Sequence, residues 1–324
     1  MNSMRILLAS SHQFPASGKI GSGLHPKEYP SGSGYQLHDL LAQGLAEEGH
    51  DVFYYLGRGA ASLPPPGVNV VTVPPSDFDI CHAPIGPLEF VRDIEKFAAS
   101  HRRPCLLTCH MAGRDEAAAN WVFVSNSLAR AYGSMRVVMN GVDPNDFIFS
   151  AKKEDYLLFI AAMNRAAEKG LDRVLALSKK KGFHLIVAGT GLNYATIERI
   201  SELCGAAGAE YVGDVRGQRK AELIASARAL FFASRLNEGC PLVIIEALVS
   251  GTPVISIRGS VEIMTPQTGF LCSSDEEWSD AVDRLDEISP FECRAIALEK
   301  FHYRRMTKDY LREYQDEIEA MSSR

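Results

Sequence analysis

The strongest constraint on the fold is a regular alternation of short apolar runs with helical patterns. In the first half of the chain the predicted strands are Arg5–Ala9, Asp51–Leu56, Val68–Val73, Asp79–Cys81, Cys105–Thr108, Trp121–Val124 and Val137–Met139. The predicted helices between them are Tyr35–Glu48, Glu89–Ala99 and Ser125–Tyr132. Because short buried strands that alternate with helices form parallel sheets covered on both faces, this half is predicted to be an α/β unit.

The pattern starts again in the second half, after the polar stretch Ser150–Asp155. The predicted strands are Tyr156–Ile160, His184–Ala188, Glu210–Val212, Leu230–Phe232 and Val254–Ile257. The predicted helices are Leu171–Ser178, Thr196–Cys204, Gln218–Ala227 and Leu242–Val249, followed by the amphipathic pattern Phe291–Met321. A chain of 324 residues exceeds a typical single core, so we expect two doubly wound, Rossmann-like domains, 1–150 and 151–300, and a helical segment 301–324.

The composition excludes several classes of function. A net charge of −6 provides no basic field, so we expect no nucleic-acid partner. No apolar run approaches the roughly 20 residues that span a bilayer, and the first strand is too short for a signal peptide. We therefore expect a cytoplasmic protein, with peripheral contact at the inner face of the membrane left open. Seven cysteines without a repeating spacing favour a reducing compartment over a disulfide framework.

The segment Glu238–Glu246 carries the clearest chemical signal. It holds two carboxylates eight residues apart and a Gly-Cys-Pro turn between a predicted strand and a predicted helix. Pro241 is predicted at the first helical position, where no N–H is needed. Unpaired amides at a helix N-terminus bind phosphate, and Glu246 on the second turn can accept hydrogen bonds from a ribose diol. An anion cradle beside a diol acceptor fits a nucleotide diphosphate.

This spacing resembles the E-x7-E motif of retaining glycosyltransferases with the GT-B fold, in particular glycosyltransferase family 4. The wider match runs from Ser234 through Glu238 and Glu246 to Gly251–Val254, with one residue added after Ser234 and a cysteine in place of the usual aromatic residue. The resemblance covers Met4 to Tyr314. It implies two Rossmann-like domains facing across a cleft, an N-terminal one for the acceptor and a C-terminal one for a nucleotide-sugar donor, with the last helix packing back on the first domain.

The resemblance also implies roles for the residues of the motif. Glu246 would bind the ribose hydroxyls, and Glu238 would contact the sugar or its phosphates. Amides of Gly239, Cys240 and Leu242 would hold sugar hydroxyls or phosphate.

Two cations follow the first strand of the second domain, where the family has G-R-x-x-x-x-K-G. In the family, Arg and Lys neutralise the donor's diphosphate, because cations at this place stabilise the charge that grows on the leaving group. Here Met163-Asn164 replaces the Gly-Arg pair, and Arg165 lies one residue closer to Lys169 than the usual arginine. Two interpretations stay open: Arg165 substitutes in a rebuilt loop, or Lys169 acts alone.

Two glycine-containing loops are predicted to border the nucleotide. Gly189-Thr190-Gly191 fails as a dinucleotide fingerprint, since Tyr194 stands where a third small residue is needed. It matches the family's G-x-G loop instead. Val215 follows the next strand, where the family holds the base through main-chain contacts.

In the first domain, the stretch Ser17–Gly34 is rich in Gly, Ser and Pro, and Ser33-Gly34 replaces the family's Gly-Gly pair. This stretch is either disordered surface or part of the acceptor site that closes over the donor phosphates. His110 ends a strand where the family has T-x-H, whose histidine reaches the donor sugar and the reacting centre. His82 resembles a second family element and is a weaker candidate.

Two patterns in the sequence could indicate a metal-binding site, and neither is strong. Asp77-Phe78-Asp79 has the D-x-D form of metal-dependent glycosyltransferases but precedes a strand, at the edge opposite the expected cleft, so we interpret it as structural. Cys105-x3-Cys109-His110 lacks a second ligand pair for zinc. We expect no metal and no cofactor besides the donor.

The sequence therefore predicts a metal-independent, retaining hexosyltransferase that uses a UDP-sugar, with UDP-glucose favoured by family frequency. Its acceptor would be a glycan, a lipid-linked sugar or a small molecule. Two alternatives stay open: a nucleotide-sugar epimerase or inverting GT-B enzyme, and a UDP-sugar-binding protein without transfer activity.

Overall fold

The computed structural model describes residues 3–12, 14, 33–56, 59–60, 63–111, 118–190, 193–236, 238–257 and 262–323. These residues form two compact units. The first consists of the described residues up to Asp143 together with the segment from Phe301, and the second runs from Pro144 to Lys300.

The first unit contains a parallel sheet of six strands in the order β3-β2-β1-β4-β5-β6. The strands are β1 Arg5–Ser10, β2 Asp51–Leu56, β3 Val68–Val71, β4 Ile80–Pro84, β5 Cys105–Cys109 and β6 Trp121–Phe123. Its helices are α1 Ser33–Glu47, α2 Leu88–Ser100, α3 Asn126–Ala131 and the last helix of the chain, α10 Tyr303–Ser322.

The second unit repeats this winding with the order β12-β11-β10-β7-β8-β9, again all parallel. The strands are β7 Leu157–Ile160, β8 Leu185–Ala188, β9 Glu210–Tyr211, β10 Ala229–Phe232, β11 Val254–Ile257 and β12 Gly269–Cys272. The helices are α4 Leu171–Lys181, α5 Tyr194–Ala207, α6 Gly217–Ser226, α7 Leu242–Val249, α8 Asp275–Asp283 and α9 Pro290–Phe301.

The predicted fold class of two doubly wound α/β sheets is confirmed, with three local corrections. Val137–Met139 is not a strand, because only Val137 pairs, in a single bridge to Phe123. Strand β12 and helix α8 were not predicted. The pattern Phe291–Met321 is two helices rather than one, with the break at His302, whose imidazole Nδ1 accepts a hydrogen bond from the amide of Arg304 at 3.2 Å.

Helix α10 packs against α1 at an unusually close crossing. A Cβ added to Gly44 would lie 2.1 Å from Oγ1 of Thr307, so no larger residue fits there without moving a helix. The chain enters α10 through a backbone bridge in which the amide of Val142 donates to Phe301 and the amide of Tyr303 donates to Val142, at 2.8 and 3.0 Å. The C-terminal helix is therefore an integral part of the first unit.

A buried polar network also joins α10 to the sheet. Both ring nitrogens of His82 on β4 are engaged, Nδ1 with the hydroxyl of Tyr314 and Nε2 with that of Thr108, each at 2.7 Å. The Thr108 hydroxyl lies 2.8 Å from that of Tyr310. Burial lowers the pKa of His82 to about 3 and holds the pKa of the neighbouring His38 well below its usual value. His82 thus has a structural role in packing.

Three further observations concern the described part of the chain. All seven cysteines lie within it, and none of them forms a disulfide bond. It contains no group of three or more His, Cys, Asp or Glu residues placed to hold a metal ion. None of its helices combines the length and apolar character needed to cross a membrane.

Gly44→Ala should lower the free energy of unfolding by about 1–3 kcal/mol, because the new methyl group overlaps Thr307 at the helix crossing. The matched control is Gly205→Ala on α5, where an added Cβ meets nothing within 4 Å. There the better helix propensity of alanine should raise stability by up to about 1 kcal/mol. Urea denaturation of both variants measures the change in the free energy of unfolding, which should be negative for Gly44→Ala and positive for Gly205→Ala. Equal changes in the two variants would contradict the close crossing.

Stability should fall as the pH drops from about 6.5 towards 4. The folded protein keeps His38 and His82 neutral, whereas the unfolded chain binds protons at their ordinary pKa, so folding opposes protonation in this window. Each such histidine contributes a slope of up to about 1.4 kcal/mol per pH unit. Urea denaturation at pH 7, 6 and 5 measures the slope, and His82→Gln should flatten it. A free energy of unfolding that is constant across this range would argue against neutral burial.

Candidate functional site

In the second unit the predicted site residues gather at the carboxyl ends of neighbouring strands. The strand order reverses beside β7, since the chain continues to β8 and β9 on one side and to β10, β11 and β12 on the other. In sheets of this kind ligands bind where the order reverses, outside the carboxyl ends of the strands. The segments that follow β7, β8, β9 and β10 carry Lys169, Gly189, Val215 and Glu238 respectively.

Lys169 and Glu238 meet across this reversal. Lys169 lies in the turn after β7, Glu238 lies in the segment after the adjacent strand β10, and Lys169 Nζ is 2.7 Å from Glu238 Oε2. About a fifth to a quarter of each side chain is exposed (19% and 24%). The second carboxylate oxygen of Glu238, Oε1, is buried and has no hydrogen-bond partner among the described residues.

Glu246 is held by a lysine that the sequence analysis did not single out. It lies on the second turn of α7, its side chain is only 7% exposed, and its Oε2 is 2.6 Å from Nζ of Lys220 on α6. Each glutamate of the motif is thus paired with a lysine from a different element. The only sequence signal for Lys220 is its place just after the predicted base-binding loop, in the first turns of a helix.

The N-terminus of α7 differs in one detail from the prediction. Pro241 is the N-cap residue, with φ −69° and ψ 120°, rather than the first residue of the helix, which begins at Leu242. An extended ψ at Pro241 keeps it outside the helix. Gly239, Cys240 and Leu242 are buried around this turn, so backbone rather than side chain is what the turn offers to a ligand.

Gly189 and Gly170 are required by close packing at the same edge. Gly189 has φ +142°, and an added Cβ would lie 1.8 Å from the carbonyl oxygen of Ala161. Gly170, with φ +81°, packs in the same way on the carbonyl of Ala233, at 2.2 Å. The Gly189 amide donates to the Gly213 carbonyl at 2.8 Å, which ties the loop after β8 to the loop that leads to the buried Val215.

Arg165 lies in the same turn as Lys169 but is paired differently. Its guanidinium forms an ion pair with Glu168, and both side chains are about half exposed. The two predicted phosphate ligands therefore share one turn and are bound to different carboxylates.

Arg235, in the lengthened part of the motif, is a further residue that sequence reasoning missed. Its guanidinium binds both carboxylate oxygens of Asp172 at 2.9 and 2.8 Å, and its amide donates to the Glu168 carbonyl at 2.8 Å. It joins the segment after β10 to the start of α4, and so fixes the two segments that carry Lys169 and Glu238.

In the first unit, the structure brings His110 and Gly34 together. His110 follows β5, and a Cβ added to Gly34 in the first turn of α1 would lie 3.4 Å from the imidazole. Burial lowers the pKa of His110 to about 4, and its Nε2 has no partner among the described residues. Ser33 begins α1. The glycine-rich stretch from Ser17 to position 32 lies outside the described residues, as does Gly191.

A polar network at the carboxyl end of β1 was not predicted. His12 lies between Ser10, 2.8 Å from its Nδ1, and Asp39 on α1, 2.9 Å from its Nε2. The hydroxyl of Tyr54 donates to the same Asp39 oxygen at 2.8 Å. All four residues are buried.

The D-x-D pair lies at the opposite end of this sheet, as predicted. Asp79 accepts a hydrogen bond from the amide of Arg5 at 2.7 Å, and Asp77 forms an ion pair with the Arg5 guanidinium. Both carboxylates therefore bind Arg5 at the start of β1.

Part of the chain matches a known protein family. Residues 154–287, less than half of the chain, match the model of the family described as Glycosyl transferases group 1. No curated protein has a significantly similar sequence.

Several solved structures have the same fold. AviGT4, a glycosyltransferase involved in avilamycin A biosynthesis, is 23% identical and superposes with a TM-score of 0.74 over 98% of each chain. Sucrose-phosphate synthase from Thermosynechococcus elongatus is 17% identical, with a TM-score of 0.70 over 97% of this chain and 99% of its own. HepE from Anabaena, solved in complex with UDP and glucose, is 13% identical, with a TM-score of 0.69 over 97% and 100%.

The family match contains both lysine–glutamate pairs, and the structural matches extend over almost the whole chain. The resemblance indicated by the sequence motifs is confirmed: residues 154–287 carry the Glycosyl transferases group 1 match, and the chain as a whole has the fold of GT-B glycosyltransferases.

Proposed function

We propose that the protein is a retaining, metal-independent glycosyltransferase that moves a sugar, in the first instance glucose, from a UDP-sugar to an acceptor. The observation that carries this proposal is the pair of lysine-bound glutamates, Glu238–Lys169 and Glu246–Lys220, beside the strand reversal of the second sheet. The edge offers a cation for a diphosphate, a carboxylate for a ribose diol and a helix N-terminus for phosphate or sugar hydroxyls. The UDP, glucose and UDP-glucose complexes of HepE support the choice of donor.

In the proposed reaction the bond between the anomeric carbon and the diphosphate oxygen breaks, and its electron pair leaves with UDP. Lys169 stabilises the negative charge that grows on this oxygen, and the diphosphate replaces Glu238 as the partner of the ammonium. The released Glu238 accepts hydrogen bonds from sugar hydroxyls. The acceptor oxygen bonds to the anomeric carbon on the same face, and its proton passes to the departing diphosphate. This scheme needs neither a protein nucleophile nor a metal ion.

Arg165 is assigned a secondary role. It lies on the turn that presents Lys169, but Glu168 already neutralises it. We assign the leaving-group charge to Lys169 first, with Arg165 joining when the donor's charge displaces Glu168.

The acceptor side is assigned to the first unit. A neutral His110 beside Gly34 can orient a hydroxyl through its unsatisfied Nε2, and an uncharged imidazole does so without binding a proton at neutral pH. The acceptor classes are a glycan, a lipid-linked sugar or a small molecule, in polysaccharide or glycoconjugate biosynthesis. A cytoplasmic location, with acceptor access at the inner face of the membrane, belongs to the same proposal.

One observation favours a second candidate, a UDP-sugar-binding protein without transfer activity. Asn164 stands where the family has its arginine, and the nearby Arg165 is bound to Glu168. A site that offers only Lys169 to a diphosphate can bind it but stabilises less charge on a leaving group than a lysine and an arginine together.

Incubation with a panel of nucleotide sugars and sugar acceptors should release UDP, and release should persist in excess EDTA. Proton NMR of the product should show the anomeric configuration of the donor. An inverted anomer points to an inverting enzyme, and conversion of the donor sugar without transfer points to an epimerase. Calorimetric UDP binding with no UDP release from any pair identifies the binding protein. Loss of activity with EDTA would contradict metal independence.

Lys169→Met should lower kcat by about 10²–10³-fold, because the charge on the leaving diphosphate loses its cation. The matched control is Lys181→Met, since Lys181 pairs with Asp283 at 2.6 Å and lies at the far end of α4. Steady-state rates of UDP release compare the two variants. A Lys169→Met enzyme with the kcat of the control would remove Lys169 from the reaction.

A further inference from the structure

Lys220 lies at the candidate donor site, and neither the motif nor the proposed reaction assigns it a role. It is the fourth residue of α6, and its ammonium lies 2.6 Å from Oε2 of Glu246 on α7. The lysine side chain is 30% exposed, whereas that of Glu246 is 7% exposed. The lysine is therefore the more exposed partner of this pair.

Burial explains why Glu246 needs this partner. A carboxylate removed from water loses most of its hydration, and an adjacent cation is the usual compensation for that loss. Of the two motif glutamates, Glu246 is the more buried, with 7% exposure against 24% for Glu238. Without Lys220 the Glu246 carboxylate would be a largely buried charge that has lost its ion-pair partner.

The pair also has the right hydrogen-bonding capacity for a vicinal diol. Each ribose hydroxyl can donate one hydrogen bond and accept others, so a site that offers only acceptors leaves the accepting capacity of the hydroxyl unused. Glu246 supplies acceptors, and the ammonium of Lys220, which forms an ion pair with it, has three donors. A lysine beside a carboxylate can thus donate hydrogen bonds to the same two hydroxyls from which the carboxylate accepts them.

We propose that Lys220 is a positioning and specificity-determining residue, which orients the Glu246 carboxylate and with it selects the ribose diol of the donor over a 2′-deoxyribose. This inference rests on the proposed binding of a nucleoside diphosphate. It extends that function by assigning sugar discrimination on the nucleotide to a lysine–glutamate pair rather than to the glutamate alone.

Calorimetry with UDP and 2′-deoxy-UDP tests the proposal on Lys220→Met, Lys220→Arg, Glu246→Gln and the double variant Lys220→Met/Glu246→Gln. Lys220→Met should weaken UDP binding by about 10-fold to 100-fold, as expected for hydrogen bonds to charged groups, and should weaken 2′-deoxy-UDP binding less. The preference for UDP over its deoxy form should therefore shrink. Lys220→Arg should recover part of it, because the charge is kept.

The double variant separates positioning from a general structural effect. If Lys220 acts through Glu246, Lys220→Met should cost little in the Glu246→Gln background, since the two effects are then not additive. Lys181→Met, which removes an ammonium paired with the exposed Asp283, is the control and should bind both nucleotides as the wild type does. Thermal melting checks that each variant is folded, and Lys220→Gln replaces Lys220→Met where the latter is not.

Three results would overturn the inference. Wild-type affinity in Lys220→Met leaves the proposed function intact and removes Lys220 from it. An equal loss for both nucleotides, repeated in the Glu246→Gln background, makes Lys220 a structural residue. A wild-type protein that binds neither UDP nor ADP nor GDP overturns the proposed function and the inference together.

Discussion

Each sheet is wound outwards in two directions from a central strand, β1 in the first unit and β7 in the second. Since parallel strands are joined by right-handed crossovers, reversing the direction of winding sends the connections that leave two neighbouring strands to opposite faces of the sheet. The backbones separate there, and side chains that are distant in sequence can meet at the edge. Lys169 after β7 and Glu238 after β10 are such a pair, so the contact depends on strand order before it depends on either residue.

Charge compensation then distinguishes the two glutamates. Glu238 keeps 24% of its side-chain surface exposed, so under the proposed function its lysine can exchange the carboxylate for a more highly charged diphosphate. Glu246 is 7% exposed, and separating it from Lys220 would leave a buried charge unpaired. Under the proposed function, the first pair opens during the reaction, whereas the second stays closed. In this proposal the same motif contributes one contact that opens and one that stays closed.

The sequence predicted the helices and strands better than it predicted which side chains would contact each other. Helix α7 has the predicted bounds, Leu242–Val249, because an apolar run between Pro241 and Gly251 is marked at both ends. Lys220 was missed, since the spacing of apolar residues in α6 identifies the buried face of that helix but not the element that a lysine on it will contact. The strand predicted at Val137–Met139 was wrong for a related reason. This apolar run lies at the edge of the sheet, where it has one neighbouring strand and forms a single bridge to it.

The loop after β7 is held in place by contacts with the segments around it as well as by its own sequence. Gly170 packs on the carbonyl of Ala233, Gly189 packs on that of Ala161, and Arg235 clamps Asp172 with both of its terminal nitrogens. These contacts join the turn that carries Lys169 to the segments after β8 and β10. The cation that the proposed reaction requires must be held within a fraction of an ångström of its place, and backbone packing achieves this more firmly than a long side chain can. The exchange of Gly-Arg for Met163-Asn164 is therefore compatible with a well-placed Lys169, because the position of the lysine is set by the residues around the turn.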